Sequence, residues 1–174
     1  MNGIATLLAI SCMLLLGSSR LLVSIRMVAF QGVLLGLLPL FVAGSGHIGA
    51  AALILSITNI GLKSILLPWL LTKALFESGA RREIGPFIGF GTSILSGVVL
   101  LAVSGYIVKR LQTTAEISSS ITLIAGFFMV FSGLFLLITR RKALTQTLGF
   151  LVLENGVFTT GLSLGSEFSV YVEL

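Results

Sequence analysis

Successive apolar runs of roughly twenty residues, broken only by short polar or basic turns, set the limits on what this chain can fold into. A helix needs about that length to cross the hydrocarbon of a bilayer. A membrane β-barrel would instead show alternating segments of about ten residues. None is present. Only 10% of the 174 residues are charged, against about 25% in soluble domains. Mean hydropathy is +1.12 and 56% of residues are hydrophobic. The expected fold is all-α: a polytopic transmembrane bundle, one integral membrane domain over 1–174. The apolar runs place about six helices, near 3–19, 21–44, 48–76, 86–108, 118–139 and 143–164.

Gly44-Ser45-Gly46, Gly79-Ala80-Arg81-Arg82 and Arg140-Arg141-Lys142 mark three of the turns, and Thr113-Thr114-Ala115-Glu116 opens a cap region before the fifth helix. The run Ile4–Leu16 lacks the basic flank and small-residue cleavage site of a signal peptide, so it is read as a retained first helix. The single Cys12 lies inside it, which excludes disulfides as an organising feature. The tail Glu167–Leu174 starts another run that is too short to span. Either it rests at the outer interface, with Tyr171 as anchor, or a seventh helix is truncated.

Lys and Arg counts orient the helices. With the N-terminus outside, Arg20, Arg26, Lys73, Arg81, Arg82, Arg140, Arg141 and Lys142 fall on the cytoplasmic side. Only Lys109 and Arg110 fall outside, and Lys63 is within a helix. That asymmetry is the positive-inside pattern. A multi-pass protein of the cell (inner) membrane is expected, N-terminus out. The net charge of +5 is explained by these turns rather than by nucleic acid, which is not an expected partner.

Lys63 and Glu154 break the apolar pattern near the middle of the third and sixth helices, in a chain without Asp and with six acidic residues. A charge at that depth costs about 2.5–3.5 kcal/mol on insertion scales, and it usually faces a partner or a water-filled path. Asn59 is four residues before Lys63, on the same helical face, with Ser56 one turn further along. Pro68 removes the donor that would have met the Ser64 carbonyl. Around Glu154 stand Gln146, Thr147, Asn155, Thr159 and Thr160. The bland alternatives are a Lys63 paired with a neighbouring subunit and a protonated Glu154 acting as interhelical glue. Whether Lys63 and Glu154 touch is left open by the sequence.

In the second helix, Gln31 is a candidate bond to a neighbouring helix, and Pro39 frees the carbonyl of Leu35, next to Gly36, where a kink is expected. His47, in the outer loop, is a candidate relay at the exit of a path. The proton-path candidates are therefore Lys63, Glu154, Asn59, Asn155, Gln31 and His47. Gly89-Phe-Gly91 and Gly126–Gly133 are expected to let helices pack closely. One His, one Cys and no Asp leave too little for a catalytic or metal-binding constellation, so the chain is not expected to be catalytic alone.

Two segments carry a family resemblance: Thr58-Asn-Ile-Gly-Leu-Lys-Ser-Ile-Leu-Leu-Pro68, and Thr139-Arg-Arg-Lys-Ala-Leu-Thr-Gln-Thr-Leu-Gly-Phe-Leu-Val-Leu-Glu-Asn-Gly156. In this order they resemble the hydrogenase-4 component E family, membrane subunits of energy-converting [NiFe] hydrogenases and formate hydrogenlyases. That family is similar to subunit K of respiratory complex I, in which buried Glu residues sit on adjacent helices. The acid there lies about one turn earlier than Glu154, and the family continues through another helix after the segment near Glu167. The resemblance implies a membrane-arm subunit that contributes Lys63 and Glu154 to proton or sodium translocation. It also implies antiporter-like membrane subunits and a peripheral redox module as partners. No cofactor is expected in this chain, the [NiFe] centre and iron–sulfur clusters being carried by partner subunits. Other readings are a subunit of a multisubunit cation/proton antiporter, a non-translocating scaffold, and a stand-alone transporter. The last is disfavoured by the lack of an internal repeat.

Overall fold

The structure is a computed structural model that describes residues 2–42, 50–78, 89–112 and 119–164, nearly all of them helical. Helices α1 (Asn2–Gly17) and α2 (Leu21–Val42) are followed by α3 (Ala50–Asn59). A π-helical segment, Ile60–Leu66, leads directly from α3 into α4 (Leu67–Ser78). Helices α5 (Phe90–Leu111), α6 (Ser120–Thr139) and α7 (Ala143–Leu164) complete the bundle. Because α3, the π segment and α4 form one uninterrupted rod, six rods are described, at the positions expected from the apolar runs. Pro39 lies inside α2, which continues to Val42. His47, the turns at 44–46 and 79–82, the stretch 113–116 and the tail from Glu167 lie outside the described residues. The cap of α6 is Ser119, whose hydroxyl accepts from Thr122 N–H.

Among the described residues, four helices are long and apolar enough to cross a membrane: Leu21–Pro39, Gly91–Leu111, Ser120–Thr139 and Ala143–Leu164. The outer surface of the bundle, the third rod included, suits lipid. Ile138 is 75% exposed, and Ile57, Ile65, Leu95 and Phe76 are also largely open, an apolar display that soluble monomers avoid. Amphipathic pairs sit near helix ends, as at membrane–water boundaries. Lys73 Nζ lies over Trp69 near the end of α4, and Arg110 lies over Tyr106 near the end of α5.

Two long-range bonds fix α1 parallel to α6. Ser119 Oγ donates to Asn2 Oδ1 at their first turns (3.1 Å), and Arg140 Nη2 donates to the Leu16 carbonyl at their last (2.8 Å). Parallel first and fifth rods are what an alternating up-and-down order of the rods gives.

The second bond adds a role the sequence does not show. Arg140 stands in the turn between α6 and α7, as expected, and its side chain is buried, at 1% exposure. Leu16 is among the last four residues of α1, whose carbonyls have no partner within the helix. A guanidinium both bonds such a carbonyl and complements the negative end of the helix dipole. The Arg140 carbonyl in turn accepts from Gln146 Nε2. Arg140→Met is expected to cost about 1.5–3 kcal/mol, the range for a hydrogen bond to a charged group. That corresponds to a melting temperature lower by roughly 4–10 °C for a chain of this size. Arg140→Lys should recover only part of it, lacking the planar fork. Unchanged melting of the methionine variant would remove Arg140 as the clasp of α1.

Glycines set how closely the rods approach. Along α6 and α7, Gly133 meets Gly149 and Gly126 meets Gly156. A Cβ at Gly133 would lie 2.5 Å from Leu153 N and 2.7 Å from the Gly149 carbonyl oxygen. A Cβ at Gly156 would lie 2.6 Å from Val130 N. This bears out close packing at Gly126 and Gly133. It does not extend to Gly89 and Gly91: an added Cβ there meets only Thr92 Oγ1 at 3.9 Å and nothing at all, respectively. Those two glycines open α5 away from other described helices.

Helix α2 approaches the π segment in the same manner. A Cβ at Gly32 would be 2.7 Å from Ser64 Oγ and 2.9 Å from the Lys63 carbonyl carbon, and one at Gly36 would run into the Ile60 side chain. The motif Gly32-Val-Leu-Leu-Gly36 thus brings Lys63 against the centre of the bundle.

Candidate functional site

The π segment begins at Ile60 and ends just before Pro68. Its widened turns are visible where the Leu67 N–H meets the Leu62 carbonyl, five residues back instead of four. Pro68, which has no N–H to offer, directly follows this switch in register. Lys63 lies within the wide turns, a setting that recurs at functional sites in helices.

Glu154 lies eleven residues after Ala143 and ten before Leu164, so about 15 Å of helix extends on either side. That is half the thickness of a typical hydrocarbon core, about 30 Å. At this depth Lys63 Nζ lies 3.0 Å from Glu154 Oε1. The two charges predicted separately from the sequence therefore form one ion pair between the third rod and α7. It is asymmetric: the Lys63 side chain is 12% exposed and that of Glu154 47%. The Phe158 ring completes the lysine pocket, 5.5 Å from Nζ.

Behind the pair runs a chain of neutral polar groups. Lys63 Nζ donates to Asn155 Oδ1 (3.2 Å), Asn155 Nδ2 donates to Gln31 Oε1 (3.5 Å), and Gln31 Nε2 donates to Ser11 Oγ (3.0 Å). Ser11 Oγ donates to the Leu8 carbonyl (2.8 Å). With Glu154, five side chains from the π segment, α7, α2 and α1 are connected across the bundle. Gln31 is fully buried and Asn155 is 1% exposed, so each amide needs these partners.

Every bond in the chain points the same way, away from Lys63. The carbonyl ends of both amides face the lysine, and bonds aligned in this way reinforce one another. An amide does not take up and release protons as a carboxylate or amine does. Within this set, Glu154 and Lys63 are the groups able to exchange a proton, while Asn155, Gln31 and Ser11 hold Lys63 in place.

Lys63, Glu154, Asn155 and Gln31 are thus brought together as candidates. Asn59 is buried at the start of the π segment, and His47 lies outside the described residues. Ser11, Phe158 and the Gly32/Gly36 pair were not singled out from the sequence. The glycine pair was recognisable as a small-residue motif four apart. Ser11 carries no such signal, being one hydroxyl in an apolar helix. Among the described residues no three His, Cys, Asp or Glu side chains come together as a metal site.

An apolar helical surface around a charged pair at mid-depth defines a polytopic integral membrane protein with a polar centre. Sequence comparison then places the chain among known proteins. It belongs to the same family as the uncharacterized protein Rv0085 of Mycobacterium tuberculosis (strain ATCC 25618 / H37Rv). The two are 32% identical over 154 residues, covering 86% of this chain and 68% of the relative. No protein-family model matches the chain. No solved structure matches it.

Proposed function

We propose that this protein is a membrane-arm subunit of an energy-converting redox complex of the hydrogenase-4 or formate hydrogenlyase type. In this reading it lies in the inner membrane with its N-terminus outside, between antiporter-like subunits and beneath a peripheral redox module that carries the [NiFe] centre and iron–sulfur clusters. Its own part is to contribute Lys63 and Glu154 to a proton or sodium route. The observation that carries the reading is the ion pair at mid-membrane depth, where the two resembling motifs meet. Glu154 supports it further, because its carboxylate is half exposed on the face of α7 that also bears the exposed Phe150 and Val157. A carboxylate facing hydrocarbon is costly, so this edge calls for a polar group from a neighbouring subunit.

Chemically, the pair is a switch. Protonation of Glu154 from that edge would remove the negative charge beside Lys63. The ammonium, no longer balanced, would then repel an incoming cation. The amide chain holds the lysine in register through either state. In vesicles containing the whole complex, Glu154→Gln and Lys63→Ala are expected to abolish proton movement while electron transfer and subunit co-purification persist. Undiminished pumping in both variants would sink the proposal. A scaffold reading has its own support in the five-residue polar cross-link; it requires these variants to lose assembly instead.

A further inference from the structure

Arg26 is a charge that the ion pair does not use. It lies five residues into α2, about 7.5 Å of helix from Leu21, and is exposed on the outer surface. Among the described residues it has no carboxylate within ion-pair distance: Glu77 pairs with Lys73 and Glu154 with Lys63. Beside it a groove of about 470 Å³ runs between α1 and α2. Leu7, Ile10 and Leu14 form one wall, and Val23, Met27 and Phe30 the other. Both walls are apolar stripes at helical spacing, some 10 Å long. Ser11 lies on the groove as well, but its hydroxyl already donates to Leu8 and accepts from Gln31.

The groove therefore offers an amphiphile what each end requires. Arg26 stands towards the helix end that holds Arg20 and the Arg140–Lys142 turn, where phospholipid headgroups lie. The remainder is hydrocarbon wall. A guanidinium recognises a phosphodiester through two parallel N–H bonds, and its stem can run along the apolar wall while its head reaches the interface. A second helix would meet a single guanidinium and otherwise only apolar side chains along the walls, too little to fix its register.

We propose that the α1–α2 groove is a binding site for an anionic phospholipid, with its phosphate on Arg26 and an acyl chain between the two helices. The chain covers Ser11 and so seals the far end of the amide chain that holds Lys63. The site does not depend on the redox reading above. Native mass spectrometry of the purified protein, titrated with phosphatidylglycerol and separately with phosphatidylcholine, tests it. One phosphatidylglycerol is expected to bind in preference. Arg26→Gln should lower its occupancy at least fivefold and leave phosphatidylcholine unchanged. Ile10→Trp, which fills the groove, should lower both, while Arg141→Gln on the exposed turn changes neither. Equal phosphatidylglycerol occupancy in the wild type and Arg26→Gln, or no preference for the anionic lipid, would overturn the proposal and leave the groove to bulk lipid or another subunit.

Discussion

Exchanging the two charges should separate the pair from its members. Glu154→Lys alone sets two ammonium groups face to face at mid-depth, and Lys63→Glu alone sets two carboxylates there, since the native atoms are 3.0 Å apart. Like charges so placed are costly in a bilayer core, where each charge alone costs about 2.5–3.5 kcal/mol. Each single variant is expected to lose most of its monodisperse, membrane-extracted protein in size-exclusion chromatography. The double variant should recover the larger part. Its recovery is incomplete for a definite reason: a carboxylate at position 63 needs a donor where Asn155 Oδ1 now accepts. Asn155 and Gln31 can both turn over, presenting Nδ2 to position 63 and Nε2 to Asn155. Ser11 must then donate to Gln31 and abandon the Leu8 carbonyl. The net loss is one hydrogen bond, worth about 1 kcal/mol. If the double variant accumulates no better than the singles, the ion pair is not what holds the third rod to α7.

The second large effect is steric. Gly133→Val is expected to force α6 and α7 apart, because even the first carbon of its side chain would lie 2.5 Å from a backbone nitrogen of α7. Overpacking of this kind costs about 1–3 kcal/mol where neighbours can yield, and here the obstacle is backbone. A fall in melting temperature of roughly 6–12 °C should follow for a chain of this length. Gly91→Val, where an added Cβ meets nothing among the described residues, serves as the control and should melt within a degree or two of the wild type. Equal melting of the two variants would mean that the α6–α7 seam is not the rigid centre of the bundle.

These two sites also indicate what could be read from the residues alone. Helix number, and helix limits to within a few residues, followed from apolar length, because a bilayer imposes one thickness on every crossing. Lys63 and Glu154 stood out for the same reason, as costs that need an explanation. Their contact did not follow, since nothing local to either segment encodes which rods are neighbours. The Gly32/Gly36 and Gly149/Gly156 spacings held part of that information. They state that a helix comes close, without naming which one. The clasp made by Arg140 was not legible, because a basic residue in a turn looks the same whether it faces water or clasps a helix end. Only the position of Leu16 distinguishes the two.

The sequence distance across the ion pair has a consequence for how the protein is made. Lys63 and its carboxylate partner are 91 residues apart (154 − 63), as Glu154 sits on the final described helix. At about 5–20 residues per second, the lysine emerges some 5–20 s before Glu154 exists. Asn155, its amide acceptor, is later by one residue more. Ser11 and Gln31 are already synthesised by then and can join α1 to α2. For that interval the third rod holds an uncompensated cation, and the helix that carries Glu154 is the one that lets it settle.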